Sequence, residues 1–279
     1  YSIVGGISGA KGNVTFGFSA DQKDIIYQGD RSFSATGLSS FGFPGSYFAY
    51  LTTNDPRNPT GTYLSVGTFP DPRCPANLNT DPKYPASKLV GTRCRYNYAG
   101  VAANEAESDT RSFFLNANYE INETTTFFAR GTFTFNESFG RYAPSPFTSP
   151  FPLMSSANAN NPTQPGVVSA ETGGAFGGQS VDTDGDGTAD LDGPFDLSLF
   201  YRNAPGGFRD TFIEDTLVDY LAGVQGTVDW LGGMDWEVSG QWSQSTSNSA
   251  SPGLGLSPFL QASIDNGAFD PHAVNTAWP

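Results

Sequence analysis

The chain is poor in the residues that most often carry soluble chemistry. It has one histidine, His272, two cysteines and two methionines in 279 residues. A hydrolytic triad would have to use His272. No nucleophile elbow accompanies it, so it reads as an incidental loop histidine. No zinc-ligand spacing and no phosphate loop is present, and we expect no enzyme. Positive charge is scarce too: 14 Lys and Arg stand against 28 Asp and Glu, a formal net charge of −14. With no basic stripe to neutralise phosphates, nucleic acid is excluded as a partner. Long apolar runs are missing. Without about 18 consecutive apolar residues there is no transmembrane helix, and no 3.6-residue stripe is convincing. Membrane strands remain open, because a strand crosses a bilayer in about 9–11 residues, only alternate ones apolar.

What the chain does have is glycine (33), proline (20), phenylalanine (23) and tyrosine (12), and alternation. From Arg111, the positions Phe113, Leu115, Ala117, Tyr119 and Ile121 are apolar, while Ser112, Asn116, Asn118, Glu120 and Asn122 are polar. Phe114 is the exception. After the break at Asn122-Glu123-Thr124, Phe127, Ala129, Gly131, Phe133 and Phe135 alternate with Arg130, Thr132, Thr134 and Asn136. Period two places one face of a strand against something apolar, and a short polar break makes a hairpin. A second hairpin turns at Lys11-Gly12-Asn13, with Val14, Phe16, Phe18 and Ala20 on one face. A third turns at Leu231-Gly232-Gly233. It places Val218, Tyr220, Ala222, Val224, Trp236, Val238 and Trp242 on one face, with Leu217 and Leu221 as exceptions.

We therefore expect three hairpins, about 1–24, 111–136 and 215–245. They are joined and followed by long polar segments, about 25–110, 140–213 and 246–279. Prolines such as Pro144, Pro146, Pro150 and Pro152 argue against regular strands there. Short turns with very long connections suit an outer-membrane barrel better than a soluble sandwich, whose turns come every 8–12 residues. Tyr119, Phe127, Trp230 and Trp236, near the short turns, fit an interfacial girdle, although ordinary sheet core explains them equally. Six strands alone would leave open edges in lipid. The expected fold class is all-β: an antiparallel transmembrane β-barrel segment of about six strands. The start at Tyr1 and the end at Trp278-Pro279 lead us to expect an interior piece of a longer chain.

The stretches Ser108–Asn122, Thr125–Ala129, Tyr142-Ala-Pro144, Phe200–Asn203, Gly207-Phe-Arg209, Leu221–Gly226, Asp235–Ser239 and Gly37–Ser46 together resemble the barrel of TonB-dependent receptors. Order and spacing carry the resemblance more than any single piece. It implies a 22-stranded barrel with an N-terminal plug, in the bacterial outer membrane, its long loops extracellular. It also implies active import of a scarce nutrient such as a siderophore, carbohydrate or peptide, driven by the periplasmic energy-coupling protein TonB. The plug and the coupling box are not in this sequence. The readings left beside import are a passive porin-like channel and a calcium-binding surface β-protein.

Three groups of side chains stand out as sites. Asp182-Thr-Asp-Gly-Asp-Gly-Thr-Ala-Asp-Leu-Asp192 spaces Asp182, Asp184 and Asp186 as D-x-D-x-D-G, followed by Thr188, Asp190 and Asp192. Alternate carboxylates on a tight loop supply the oxygens that Ca2+ prefers. Gly193 stands where an EF-hand has its glutamate, and no flanking helices are evident, so we expect an isolated calcium loop. Cys74 and Cys94, an even pair in one exported loop, read as a disulfide. Tyr47, Tyr98, Tyr201, Arg202 and Arg209 are the candidates for contact with a small nutrient ligand, since aromatic faces with polar rims suit sugars, chelates or peptides.

Overall fold

Wherever the sequence alternates, the backbone is extended. The computed structural model describes residues 1–269 apart from 149, 229 and 231, so His272 and Leu231 lie outside the described residues. In chain order the strands are β1 (Ser2–Gly9), β2 (Gly12–Lys23), β3 (Ile26–Tyr27), β4 (Ser46–Leu51), β5 (Leu64–Pro70), β6 (Ser87–Val90), β7 (Arg93–Tyr96), β8 (Ala103–Glu105), β9 (Glu107–Asn122) and β10 (Thr125–Tyr142). They continue with β11 (Leu153–Met154), β12 (Ser180–Val181), β13 (Leu191–Asp192), β14 (Asp196–Phe200), β15 (Arg209–Val228) and β16 (Met234–Ala250), followed by the helix α1 (Ser257–Asp265). The chain divides into two units. The first takes Tyr1–Ile26, Ala103–Gly140 and Asp210–Ser251; the second takes Tyr27–Ala102, Arg141–Arg209 and the segment from Pro252.

The first unit is a six-stranded sheet in the order β1-β2-β9-β10-β15-β16. The pairs β1–β2, β2–β9, β9–β10 and β15–β16 are antiparallel. Register aligns the apolar positions across strands. Phe18 lies opposite Ile3 and Phe113, and Phe113 lies opposite Phe133. Tyr220 lies opposite Trp242, their rings stacked 5.9 Å apart. The strands outrun the alternation that announces them: Glu107 pairs with Phe139, and Phe212 with Ala250. Ladder hydrogen bonds need no apolar side chain, so polar ends such as Thr110 and Asn136, bonded at 2.7 Å, continue the pairing. Among the described residues this sheet is open, with β1 and β16 at its edges.

On the polar face Phe114 and Phe128 break the alternation, and each covers a glycine. Phe114 lies against Gly17, and Phe128 against Gly223. A Cβ at either glycine would collide with the ring, so these glycines provide close approach within a strand.

The second unit contains most of the residues read as irregular connections. Its main sheet is four-stranded, in the order β11-β14-β4-β5. Short alternations inside proline-rich text make these strands. In Asp196-Leu-Ser-Leu-Phe200, Leu197 and Leu199 are buried while Ser198 is half-buried. Ala49, Leu51, Phe147, Met154, Phe195 and Leu197 form the core, joined by Leu260 and Ile264 of α1. Those two sit at i and i+4 and so share one helix face. Buried amides replace the hydrogen bonds that loop backbone cannot make with itself. Asn161 Nδ2 donates to Ser155 O (3.0 Å) and Phe195 O (2.8 Å), and its Oδ1 accepts from Thr163 N (2.9 Å). Cys74 and Cys94 are bonded, with Cα atoms 5.7 Å apart. Asp71 and Arg73, almost fully buried, form a two-pronged pair, Nε to Oδ1 at 2.9 Å and Nη2 to Oδ2 at 2.7 Å.

Candidate functional site

The acidic stretch 182–190 is the tip of a small hairpin. Its arms are β12 and β13, with Ser180 opposite Asp192 and Val181 opposite Leu191. Arg57 anchors the base, donating to Asp192 O (2.7 Å) and Pro194 O (2.9 Å) while paired with Asp55. Gly185 and Gly187 take φ of 83° and 91°, a conformation that L side chains rarely adopt. That twist turns amides inward. Asp182 accepts from Gly185 N (2.6 Å) and Gly187 N (2.7 Å). These backbone donors, Gly187 first, hold its carboxyl below the usual carboxylate range. Carboxylate oxygens of Asp182, Asp184 and Asp190 lie within 4.8 Å of one another. Asp186 and Asp192 are not in that group. Asp186 Oδ1 accepts from Thr188 N (2.7 Å), and Asp192 Oδ1 accepts from Ser180 Oγ (2.8 Å). An ionised carboxylate has about four acceptor sites, so the trio keeps oxygens free beyond its hydrogen bonds. Three convergent carboxylates are a suitable partial shell for a hard cation such as Ca2+.

The five aromatic and arginine candidates separate into three environments, all in the second unit. Tyr47 is core: its hydroxyl donates to Gly177 O (2.6 Å), and burial pushes its phenol well above the ordinary range. Tyr201 is also buried, edge-on to Phe43 (5.8 Å) and Phe269 (5.5 Å). Tyr98 is exposed. Arg202 and Arg209 come together over consecutive carbonyls. Arg209 Nε donates to Ala143 O (2.8 Å), and an Arg202 amino group donates to Pro144 O. Burial, then the neighbouring Arg209 charge, brings the Arg202 guanidinium down to about 10. Burial likewise lowers Arg209.

Sequence reading does not point to a further cluster. Lys83 Nζ bonds Glu171 (2.7 Å), whose other oxygen accepts from the Tyr84 hydroxyl (3.1 Å). The Lys83 bond, ahead of Tyr84, lowers the Glu171 carboxyl, and burial raises the Tyr84 phenol to about 12. No motif announces this, because 88 residues separate Lys83 from Glu171.

The first unit offers a surface. Its apolar band runs from Ile3 and Ile7 through Phe16, Phe18, Phe113 and Phe133 to Tyr220, Val238 and Trp242. All of these side chains are exposed, Ile7 at 77% and Val238 at 65%. The other face carries Thr15, Asn116, Asn118, Arg130, Gln225, Glu237 and Gln241.

No family model, no curated protein and no solved structure matches this chain.

Proposed function

We propose that this chain is part of a transmembrane β-barrel of the bacterial outer membrane, and that the barrel is an energised importer of a scarce nutrient. One observation carries the membrane reading. Among the described residues, every buried core hydrophobic belongs to the second unit, and none to the six-stranded sheet. The sheet is one layer thick within its own unit, with a band of Phe, Ile, Val, Tyr and Trp open on one side. Soluble monomers rarely expose apolar patches beyond a few hundred Å², and a sheet needs something to bury its apolar face against. Hydrocarbon satisfies the band while water in a lumen satisfies the other face. The edges β1 and β16 then require further strands, since unpaired N–H and C=O groups are costly in hydrocarbon.

The importer part rests on the resemblance to TonB-dependent receptors, with TonB as coupling partner through a plug outside this sequence. The second unit, built from segments entering and leaving the ends of the strands opposite the tight turns, supplies the extracellular loops in this reading. In the same reading, Asp182, Asp184 and Asp190 hold Ca2+ and order the tip of their hairpin.

The test is fluorescence of the complete barrel that carries this chain, reconstituted into vesicles of brominated phosphatidylcholine. Trp242 is expected to be quenched, and a Trp242→Phe variant to lose that part of the quenching. Unquenched Trp242, or a chain that remains monomeric in buffer without detergent, overturns the membrane reading. Calorimetric titration of the full chain with CaCl2 tests the loop, with Asp184→Asn expected to weaken binding at least about tenfold; no heat at millimolar calcium overturns it.

A further inference from the structure

Arg202, beside Arg209 over consecutive carbonyls, is one of two buried cations among the described residues; the other, Arg73, is paired with Asp71. Acids outnumber bases two to one, 28 to 14, yet neither Arg202 nor Arg209 has a carboxylate within ion-pair distance among the described residues. Aromatic faces take that place: Arg202 lies 5.2 Å over the Tyr96 ring, and Arg209 lies 5.8 Å over Tyr142. Arg202 is 4% exposed. Its amino groups donate to Pro144 O and to Ser39 Oγ (2.9 Å), and its Nε–H is buried with no acceptor. Arg209, half-buried, donates from Nε to Ala143 O. A guanidinium has five N–H donors, so each side chain holds more donors than the protein satisfies. Burying charge without a counter-ion is strongly unfavourable, and placing two like charges side by side adds to that cost.

If the two side chains only tethered carbonyls, neutral donors would do the same at lower cost. We propose that Arg202 and Arg209 form an oxyanion site that takes the carboxylate or phosphate group of a small ligand. The planar forks of two arginines match such a group through paired hydrogen bonds. Tyr96 and Tyr142 support the two forks from their ring faces. Arg209 gives access from solvent, and Arg202 provides the deep charge. The site lies wholly in the second unit, so it stands whether or not the sheet of the first unit meets lipid.

The experiment uses the full chain in detergent. Thermal unfolding and calorimetric titration are run with inorganic phosphate and with citrate, against chloride at matched ionic strength. Phosphate, citrate or both are expected to raise the melting temperature above the chloride control, and the arm that responds identifies the oxyanion class. Arg209→Gln is expected to weaken that binding about tenfold or more, as loss of a charge-assisted hydrogen bond predicts. Arg202→Lys keeps the charge but loses the fork, and weakens binding similarly. Arg93→Gln, whose side chain rests 4.4 Å over Phe200, leaves binding unchanged. Absence of a response to both anions, or full binding by Arg209→Gln, overturns the proposal. Should Arg202→Lys fail to fold, Arg209→Gln decides the question alone.

Discussion

Asp71 and Arg73 illustrate how this protein handles charge inside its folded loops. Their side chains are each 7% exposed and joined by two hydrogen bonds. Removing one partner of a buried pair leaves the other uncompensated. Asp71→Asn is therefore expected to destabilise the second unit by about 3–5 kcal/mol, measured by urea unfolding. Glu171 presents a milder case with a definite sign. Its carboxyl is held below the ordinary range by Lys83 and Tyr84. A depressed folded value means its contribution is fully present above the ordinary carboxylate pKa of about 4.3 and lost as pH falls through the lower, folded value. Glu171→Gln is expected to lower stability at neutral pH and to flatten the decline on the acid side, read from melting temperature against pH. A variant with the wild-type slope would remove Glu171 from that account. None of these three residues stands out in the sequence. Charge partners are chosen by folding, and single carboxylates carry no periodicity.

At the scale of elements, the two faces of the sheet have opposite tolerances. Leu115 and Asn118 lie on the same strand, β9, at positions of opposite parity. Leu115 stands opposite Phe16 and Gly131, and Asn118 opposite Asn13 and Phe128. With the apolar face in lipid, Leu115→Arg is expected to cost about 2–4 kcal/mol at mid-bilayer depth, and Asn118→Lys far less. Folding of the complete barrel that carries this chain into vesicles, followed by urea titration, separates the two; equal costs would refute the facial assignment. The faces were legible because a strand has period two, and a run such as Phe113, Leu115, Ala117, Tyr119 fits no helix. What Phe114 and Phe128 cover was not legible, since their partners Gly17 and Gly223 sit on neighbouring strands. The short strands β4 and β14 were hidden for another reason. Five or six residues give too few alternations to stand out among prolines and glycines.

At the scale of the whole molecule, the two units store their stability differently. The sheet has backbone pairing and an unburied apolar band, whereas the second unit has a core, buried amides and a disulfide. Closing the Cys74–Cys94 loop, 20 residues apart, removes disorder from the unfolded chain worth about 3 kcal/mol. Cys94→Ser is expected to lower the urea midpoint of the second unit while leaving the pairing of β9 with β10 intact. Hydrogen exchange resolved by segment checks this. Loss of protection in β9 at the same denaturant concentration would show that the units unfold together.

The sequence by itself determined the hairpins, the apolar face, the pairing of two cysteines and the crowding of carboxylates between Asp182 and Asp192. Each follows from local rules: a period, a turn, a count or a spacing. Only the tertiary structure decided that the proline-rich segments build a core, and that Asp182, Asp184 and Asp190 converge while Asp186 and Asp192 do not. It also brought Arg202 and Arg209 to adjacent carbonyls with no carboxylate in ion-pair distance among the described residues. These outcomes depend on contacts between residues far apart in the chain, and such contacts leave no local pattern.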